Sequence, residues 1–210
     1  MSLTSEHFHT LMEYAFAGMF DDVPAIAVGV SGGADSMAFL SLLQEWCAAH
    51  GKILHALSVN HGLREAAKDE CAMVEHYCQQ YDHVQHQTLQ WDDPSNVRVQ
   101  EEARRARYDL MGGYCQEKGI SHLFLAHHAD DQAETVLFRL AKGSGLDGLA
   151  GIRNQQGMNG VTLCRPLLDV AKEDLIEFCE VQDIPYIDDP SNDADSFARV
   201  RLRQSMDVLA

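Results

Sequence analysis

The apolar positions of this chain switch period repeatedly along its length. Residues 3–20 (LTSEHFHTLMEYAFAGMF) carry apolar side chains at helical spacing behind Thr4 or Ser5, and predict a leading helix. Ala25 to Val30 is instead an unbroken apolar run between Pro24 and a pair of glycines, the mark of a buried strand. Helical spacing returns at Met37 and lasts to about residue 50, where Gly51 ends it. The same alternation continues with a strand at 53–59 (ILHALSV), a helix over about 66–81, and a strand near 83–89. A long helix over about 98–118 stops at Gly119, a strand comes next at 122–126, and a helix over about 131–142 ends at Gly143. A short strand near 161–164, a helix over about 171–182 and a last helix from about 195 complete the pattern.

Strands separated by helices of this length build βαβ units. The expected fold is α/β: a doubly wound, mostly parallel five-stranded sheet with helices on both faces. Such sheets bind ligands beyond the carboxyl ends of their strands, near the switch in strand order. The residues directly after each strand therefore carry the candidate chemistry: SGGADS after the first, NHGLR after the second, DDPSN after the third, HHADD after the fourth, and Arg165-Pro166 after the fifth. Polar and charged residues gather on one edge of the sheet.

The first of these turns has the chemistry of an anion site. Ser31, Gly32, Gly33 and Ala34 lie between a strand and a helix opened by Asp35 and Ser36. Amides at such a helix start converge on negative charge, and the dipole favours it. Glycine lets the main chain close on a phosphate without a Cβ in the way. No lysine comes after these glycines, as GxxxxGK[ST] requires, and GxGxxG is absent too. A plain turn capped by Ser31 and Ser36 is the bland alternative. The second centre is His127-His128-Ala129-Asp130-Asp131-Gln132-Ala133-Glu134. Asp131 and Glu134 are three apart at a helix start and share a face, and Asp130 and Glu134 can share one too. Helix capping accounts for one acid there. The whole cluster suits Mg²⁺, a substrate ammonium or a base; vicinal histidines without a nearby cysteine make zinc the weaker fit.

Composition narrows the classes. A chain of 210 residues with 46% hydrophobic content suits one α/β domain, 1–210, with about 185–210 as a C-terminal helical extension. No apolar run approaches a membrane span. Six scattered cysteines without CxxC read as buried thiols in a reducing cytoplasm. Sixteen basic against thirty-two acidic residues leave a net charge of −16, which disfavours nonspecific nucleic-acid binding. The arginines nonetheless cluster at 98, 104, 105 and 107, and again at 199, 201 and 203.

Ser31-Gly32-Gly33-Ala34-Asp35-Ser36 resembles the SGGxDS loop of the N-type ATP pyrophosphatases. Four further strings succeed it in order: Val59 to Arg64 (VNHGLR), Glu101 to Tyr108 (EEARRARY), Ala126 to Thr135 (AHHADDQAET) and Gly143 to Ile152 (GSGLDGLAGI). Together with Asp189 to Asn192 and Phe197 to Arg199, they resemble the signatures of the tRNA(Ile)-lysidine synthetases over nearly the whole chain from about 25 to 203.

That resemblance implies an ATP- and Mg²⁺-dependent ligase. It adenylylates carbon 2 of the wobble cytidine of a CAU-anticodon isoleucine tRNA, releases pyrophosphate, and joins free lysine to that carbon as AMP leaves. Ser31 to Ser36 would cradle the phosphates, with Asn60 and His61 also at the nucleotide and Asp35 near Mg²⁺. Arg104 and Arg107 would clamp phosphate or cytidine. Asp131 and Glu134 would hold the lysine ammonium. His127 or His128 would contact phosphate or relay a proton, and the sequence does not separate them. Gly143, Gly145, Gly148 and Arg199 would approach the tRNA. The tail departs from the family pattern at Val200, where an asparagine is usual. Bacterial members also extend further, into domains that grip tRNA. The chain is thus either a truncated or a minimal member, and its acidity favours the first. A tRNA thiolase of the same loop family, or an ATP-binding module without turnover, are the alternatives; the missing CxxC pairs count against the thiolase. The oligomeric state stays open, a homodimer included.

Overall fold

A computed structural model describes residues 3–60, 66–91, 99–141, 143 and 150–188. The elements in chain order are α1 (Ser5–Phe16), β1 (Ala25–Gly29), α2 (Ala34–Ala49), β2 (Ile53–Asn60), α3 (Ala66–Cys78) and β3 (Val84–Gln90). They continue with α4 (Val99–Glu117), β4 (His122–Phe124), α5 (Ala129–Ala141), β5 (Gln155–Met158), β6 (Val161–Cys164) and α6 (Lys172–Val181). The expected alternation of strands and helices is present. The helix expected from about 195 lies outside the described residues.

The strands form one sheet in the order β3-β2-β1-β4-β6-β5. Every pairing is parallel except β5 with β6. Among the described residues the sheet thus has six strands where five are expected. β5 (QQGM) has no apolar alternation, and its residues are exposed or half-buried, so periodicity does not mark it. Its local sign is the turn Asn159-Gly160, with φ of 48° and 77°. An Asn-Gly pair with two positive φ angles is the favoured two-residue hairpin connection.

Alternate residues along the strands face opposite sides of the sheet. Ile26, Val28, Leu54, Ala56, Phe124 and Cys164 join the larger core, with Phe8, Met12, Phe39, Val74 and Leu175 from α1, α2, α3 and α6. Ala27, Leu57, Leu123 and Leu163 join the smaller one, with Met111 and Cys115 of α4. α2 is buried nearly all round because α1 and α6 cover the side turned away from the sheet. An apolar sequence without a polar face is what such a helix needs.

The order of the strands decides where the site is. The chain moves outward through β1, β2 and β3, then returns by α4 on the other face to place β4 beside β1. Strand order therefore reverses between β1 and β4. The turns leaving these two strands splay to opposite faces and leave a crevice at their carboxyl ends. No helix among the described residues is long and apolar enough to cross a membrane.

Candidate active site

The turn after β1 is built by its two serines and two glycines. Gly32 is buried with φ of +88°, a left-handed backbone that a side chain would strain. Gly33 is the N-cap of α2 and offers no side-chain cap bond. Neither serine caps the helix. Ser36 instead folds back: its Oγ accepts from the Ser31 N–H at 3.1 Å, lies 3.2 Å from Ser31 Oγ and donates to the Gly33 carbonyl at 2.9 Å. The turn is thus tied from inside, while the N-cap of a 16-residue helix is a glycine without a side chain to cap it. From the α6 side, Ile187 N donates to the Gly32 carbonyl at 2.9 Å, and Cys179 Sγ lies 3.5 Å from the Ala34 carbonyl.

The second centre begins where β4 ends. α5 starts at Ala129, two residues earlier than expected, which puts Asp130 and Asp131 in its first turn. Asp131 Oδ2 accepts from the His128 N–H at 3.0 Å, closing one half of a capping box. The same oxygen is 3.5 Å from His128 Nε2, and Asp35 Oδ2 is 3.4 Å from that nitrogen. Asp130 Oδ2 lies 3.8 Å from His128 Nδ1. His128 therefore bridges the first turns of α2 and α5 across the crevice. Its side chain is 8% exposed. Burial pulls its pKa down, but the Asp35 hydrogen bond and the charges of Asp131, Asp35 and Asp130 outweigh burial and raise it. Glu134 is half-buried one turn further along α5.

His127 meets the opposite field. Burial lowers its pKa to about 4, against the pull of Asp131 and with the help of Arg165, Arg104 and Arg107. These arginines gather around one phenol. The guanidinium carbons of Arg104 and Arg107 each lie 5.6 Å from the centre of the Tyr108 ring, and Arg104 reaches the Tyr108 hydroxyl at 3.5 Å. Arg105 turns away and pairs with Asp109. Arg165, 4% exposed, was placed by sequence at the ligand edge but given no role in the site. The available signal was its place directly after the last parallel strand, where the ligand edge of the sheet lies.

Among the described residues, six buried side-chain nitrogen or oxygen atoms have no hydrogen-bond partner. Five belong to this crevice: Asp35 Oδ1, Arg107 Nε, His127 Nδ1, His128 Nδ1 and Arg165 Nε. Each such atom costs roughly 1–3 kcal/mol. Their concentration here marks a surface made for polar ligands.

Asn60 ends β2, 7% exposed, on the same edge of the sheet. Gly143 has φ of +70° just beyond α5, where its N–H donates to the Leu140 carbonyl at 3.0 Å. That is a glycine-terminated helix end. His61, Gly145, Gly148 and Arg199 lie outside the described residues. The far end of the glycine-rich segment is anchored to α5. Gln132 accepts from Ile152 N at 2.5 Å and donates to the Ile152 carbonyl at 2.9 Å, and Arg139 donates to the Gly151 carbonyl at 2.9 Å.

The family model of the PP-loop domain matches residues 5–208. The chain belongs to the PP-loop domain family. This PP-loop chain is 38% identical to the tRNA(Ile)-lysidine synthase of Orientia tsutsugamushi over 187 residues, 89% of its own length and 42% of the relative's. It is 43% identical to the tRNA(Ile)-lysidine synthase of Rhodopseudomonas palustris over 190 residues, 89% of its own length and 55% of the relative's. It thus spans about half the length of these curated relatives. Among solved structures, the U34-tRNA thiolase NcsA from Methanococcus maripaludis aligns with a TM-score of 0.71 at 19% identity, over 87% of this chain and 64% of the thiolase. The NH3-dependent NAD synthetase from Campylobacter jejuni aligns with a TM-score of 0.55 at 13% identity, over 99% and 84%. At those identities the likeness is one of fold. It bears out the doubly wound α/β architecture expected from the strand and helix alternation.

Proposed function

We propose that this PP-loop domain carries out the chemistry of tRNA(Ile)-lysidine synthesis. One observation carries the reading: a side-chain-uncapped helix start for phosphates and an acid cluster for an amine are joined by His128 at one switch point. The names borne by its relatives support the same substrate class.

The β and γ phosphates of ATP lie against Ser31–Ser36, where the amides of α2 favour the departing pyrophosphate. Arg104 and Arg107 draw the α-phosphate, or the cytidine, from the α4 side. The O2 oxygen of the wobble cytidine attacks the α-phosphorus, and the bond to the bridging oxygen breaks. The ε-amine of lysine, freed of its proton, then attacks carbon 2, and AMP leaves with the former O2. Asp131 and Glu134 hold the lysine ammonium beforehand. Asp131 also engages His128, through its main-chain N–H and its ring. His127 is uncharged at neutral pH and serves the phosphate side. His128, its pKa raised by the Asp35 hydrogen bond and the acids around it, faces the acid side.

Asp35 suits Mg²⁺, since its Oδ1 is a buried carboxylate oxygen without a hydrogen-bond partner. Mg²⁺ prefers one or two carboxylates together with substrate phosphates. When bound, it neutralises charge developing on those phosphates. Gly143, Gly145, Gly148 and Arg199 are assigned to the tRNA. All six cysteines are free thiols, which suits a reducing cytoplasm.

The test is turnover with ATP, lysine and CAU-anticodon isoleucine tRNA, beside a longer chain matching the relatives' full length. Pyrophosphate and AMP released only with that tRNA, and lysine incorporated into it, are expected. Release of ADP and orthophosphate would overturn the reading. ATP binding without turnover in both chains would favour a nucleotide-binding module instead.

A further inference from the structure

Among the described residues, Arg165 is a buried charge with no carboxylate partner. It leaves β6 at the ligand edge of the sheet and is 4% exposed. Its guanidinium donates to the Arg153 carbonyl at 3.0 Å and to Gln156 Oε1 at 3.3 Å, with the Tyr108 phenol beside it. All three are neutral acceptors. Its Nε has no hydrogen-bond partner among the described residues. Among the described residues, no carboxylate forms an ion pair with Arg165, Arg104 or Arg107. The acid that bears on neighbouring His127 is Asp131, which His128 already engages. A buried cation is costly unless it is paired and hydrogen-bonded.

Three guanidiniums around one phenol repel each other in a protein without a bound anion. They stay together because the scaffold holds each one separately: α4 carries two, and β6, β5 and the segment before β5 clamp the third. Arg107 Nε, His127 Nδ1 and Arg165 Nε are all buried without partners. The fork geometry of a guanidinium matches phosphate oxygens, and a pre-held arginine loses little entropy on binding one. The cluster also has a definite place. His127 precedes His128, whose Nε2 is 3.4 Å from Asp35 in the first turn of α2. The cluster is thus next to the pyrophosphate turn but separate from it.

We propose that Arg165, with Arg104, Arg107 and His127, forms a binding site for the phosphate of a nucleoside monophosphate, distinct from the Ser31–Ser36 turn. This rests on the adenylylation chemistry proposed for the domain, because that reaction divides ATP into pyrophosphate and an adenylyl group needing separate holders. Arg165 then grips the α-phosphate during transfer and stabilises AMP as it departs. The O2–phosphorus bond forms as the bond to pyrophosphate breaks. AMP later leaves carbon 2 with its electron pair on oxygen, as a phosphate dianion facing three cations.

Calorimetry on the 210-residue protein separates the two holders with AMP, adenosine and inorganic pyrophosphate as probes. In the unsubstituted protein AMP should bind more tightly than adenosine. Arg165→Met should weaken AMP about ten-fold or more, the loss of charged hydrogen bonds, with adenosine and pyrophosphate within about two-fold. Ser36→Ala should do the reverse, weakening pyrophosphate and sparing AMP. Arg165→Lys keeps the charge and loses the fork. It serves where the methionine variant fails to fold, and should weaken AMP while thermal unfolding stays cooperative. Unchanged AMP affinity in a folded variant overturns the proposal, as does an equal loss of AMP and pyrophosphate. Weakened tRNA binding with AMP unchanged also overturns it, assigning Arg165 to the RNA backbone. These bindings are read without turnover. A protein that discriminates AMP as described but never modifies tRNA would sink the synthetase reading alone.

Discussion

Asp131→Asn tests how one carboxylate serves two ends. Its Oδ2 accepts from His128 N and faces His128 Nε2. Asparagine keeps an acceptor for the N–H but removes the charge. The expected outcome is an intact helix and a fall in the His128 pKa, measured by titrating the ring with NMR. The lysine KM should rise, because the charge proposed to face the ammonium is gone. Asp131→Ala also loses the cap bond, at about 1 kcal/mol of stability. At Gly32 the constraint is conformational. With φ at +88°, Gly32→Ala strains the turn by roughly 1–2 kcal/mol. The added Cβ meets Glu70 Cβ and Met73 Cε at 3.5 Å, ordinary contact, so strain and not clash decides the outcome. A thermal melt with and without ATP should show a small loss of intrinsic stability and a much reduced rise on adding ATP. The glycine was readable from sequence, since a turn of this kind needs it. The division between His127 and His128 was not, because two adjacent imidazoles differ here only by what other elements bring to them.

At the scale of elements, α5 ties two parts of the site together. It presents the acids at its start, and through Gln132 and Arg139 it holds the chain at Gly151 and Ile152. Gly151 has φ of +69°, and a Cβ there would run into the Gln132 side chain. Gln132→Leu leaves both main-chain groups of Ile152 unpaired, at about 1–3 kcal/mol. Urea unfolding should show that loss, and hydrogen exchange at Ile152 should quicken while β1 stays protected. The helix was legible as an element, but its start was not. His128 N-caps it through the Asp131 side chain, a bond that a pattern of apolar spacing does not register. β5 was missed for a similar reason. A short polar edge strand has no period, and only the Asn-Gly turn beside it signals a hairpin.

Among the described residues of the whole molecule, the histidines with shifted pKa values fall into two opposed groups. Burial lowers the pKa of His55, His86, His122 and His127, the last to about 4. Below pH 6.5 the unfolded chain takes up protons that these native rings refuse, so stability falls with pH. His127 by itself accounts for on the order of 3 kcal/mol between pH 6.5 and 4. His128 has the opposite sign: its raised pKa gives stability that is full below 6.5 and lost as pH rises through the folded value. Four against one predicts a net loss on going from pH 7.5 to 5, measured by urea unfolding at fixed salt. His127→Gln should flatten the slope below pH 6.5, and His128→Gln should remove the gain in stability that comes as pH falls toward 6.5. The sequence alone determined the alternation of strands and helices, the glycine turn at Ser31–Ser36 and the family, because period and glycine placement are local matters. Tertiary structure alone decided that Asp35 meets His128 while Arg104, Arg107 and Arg165 surround His127. Charge acts through space, and the residues that set each group's chemistry come from strands and helices far apart in the chain.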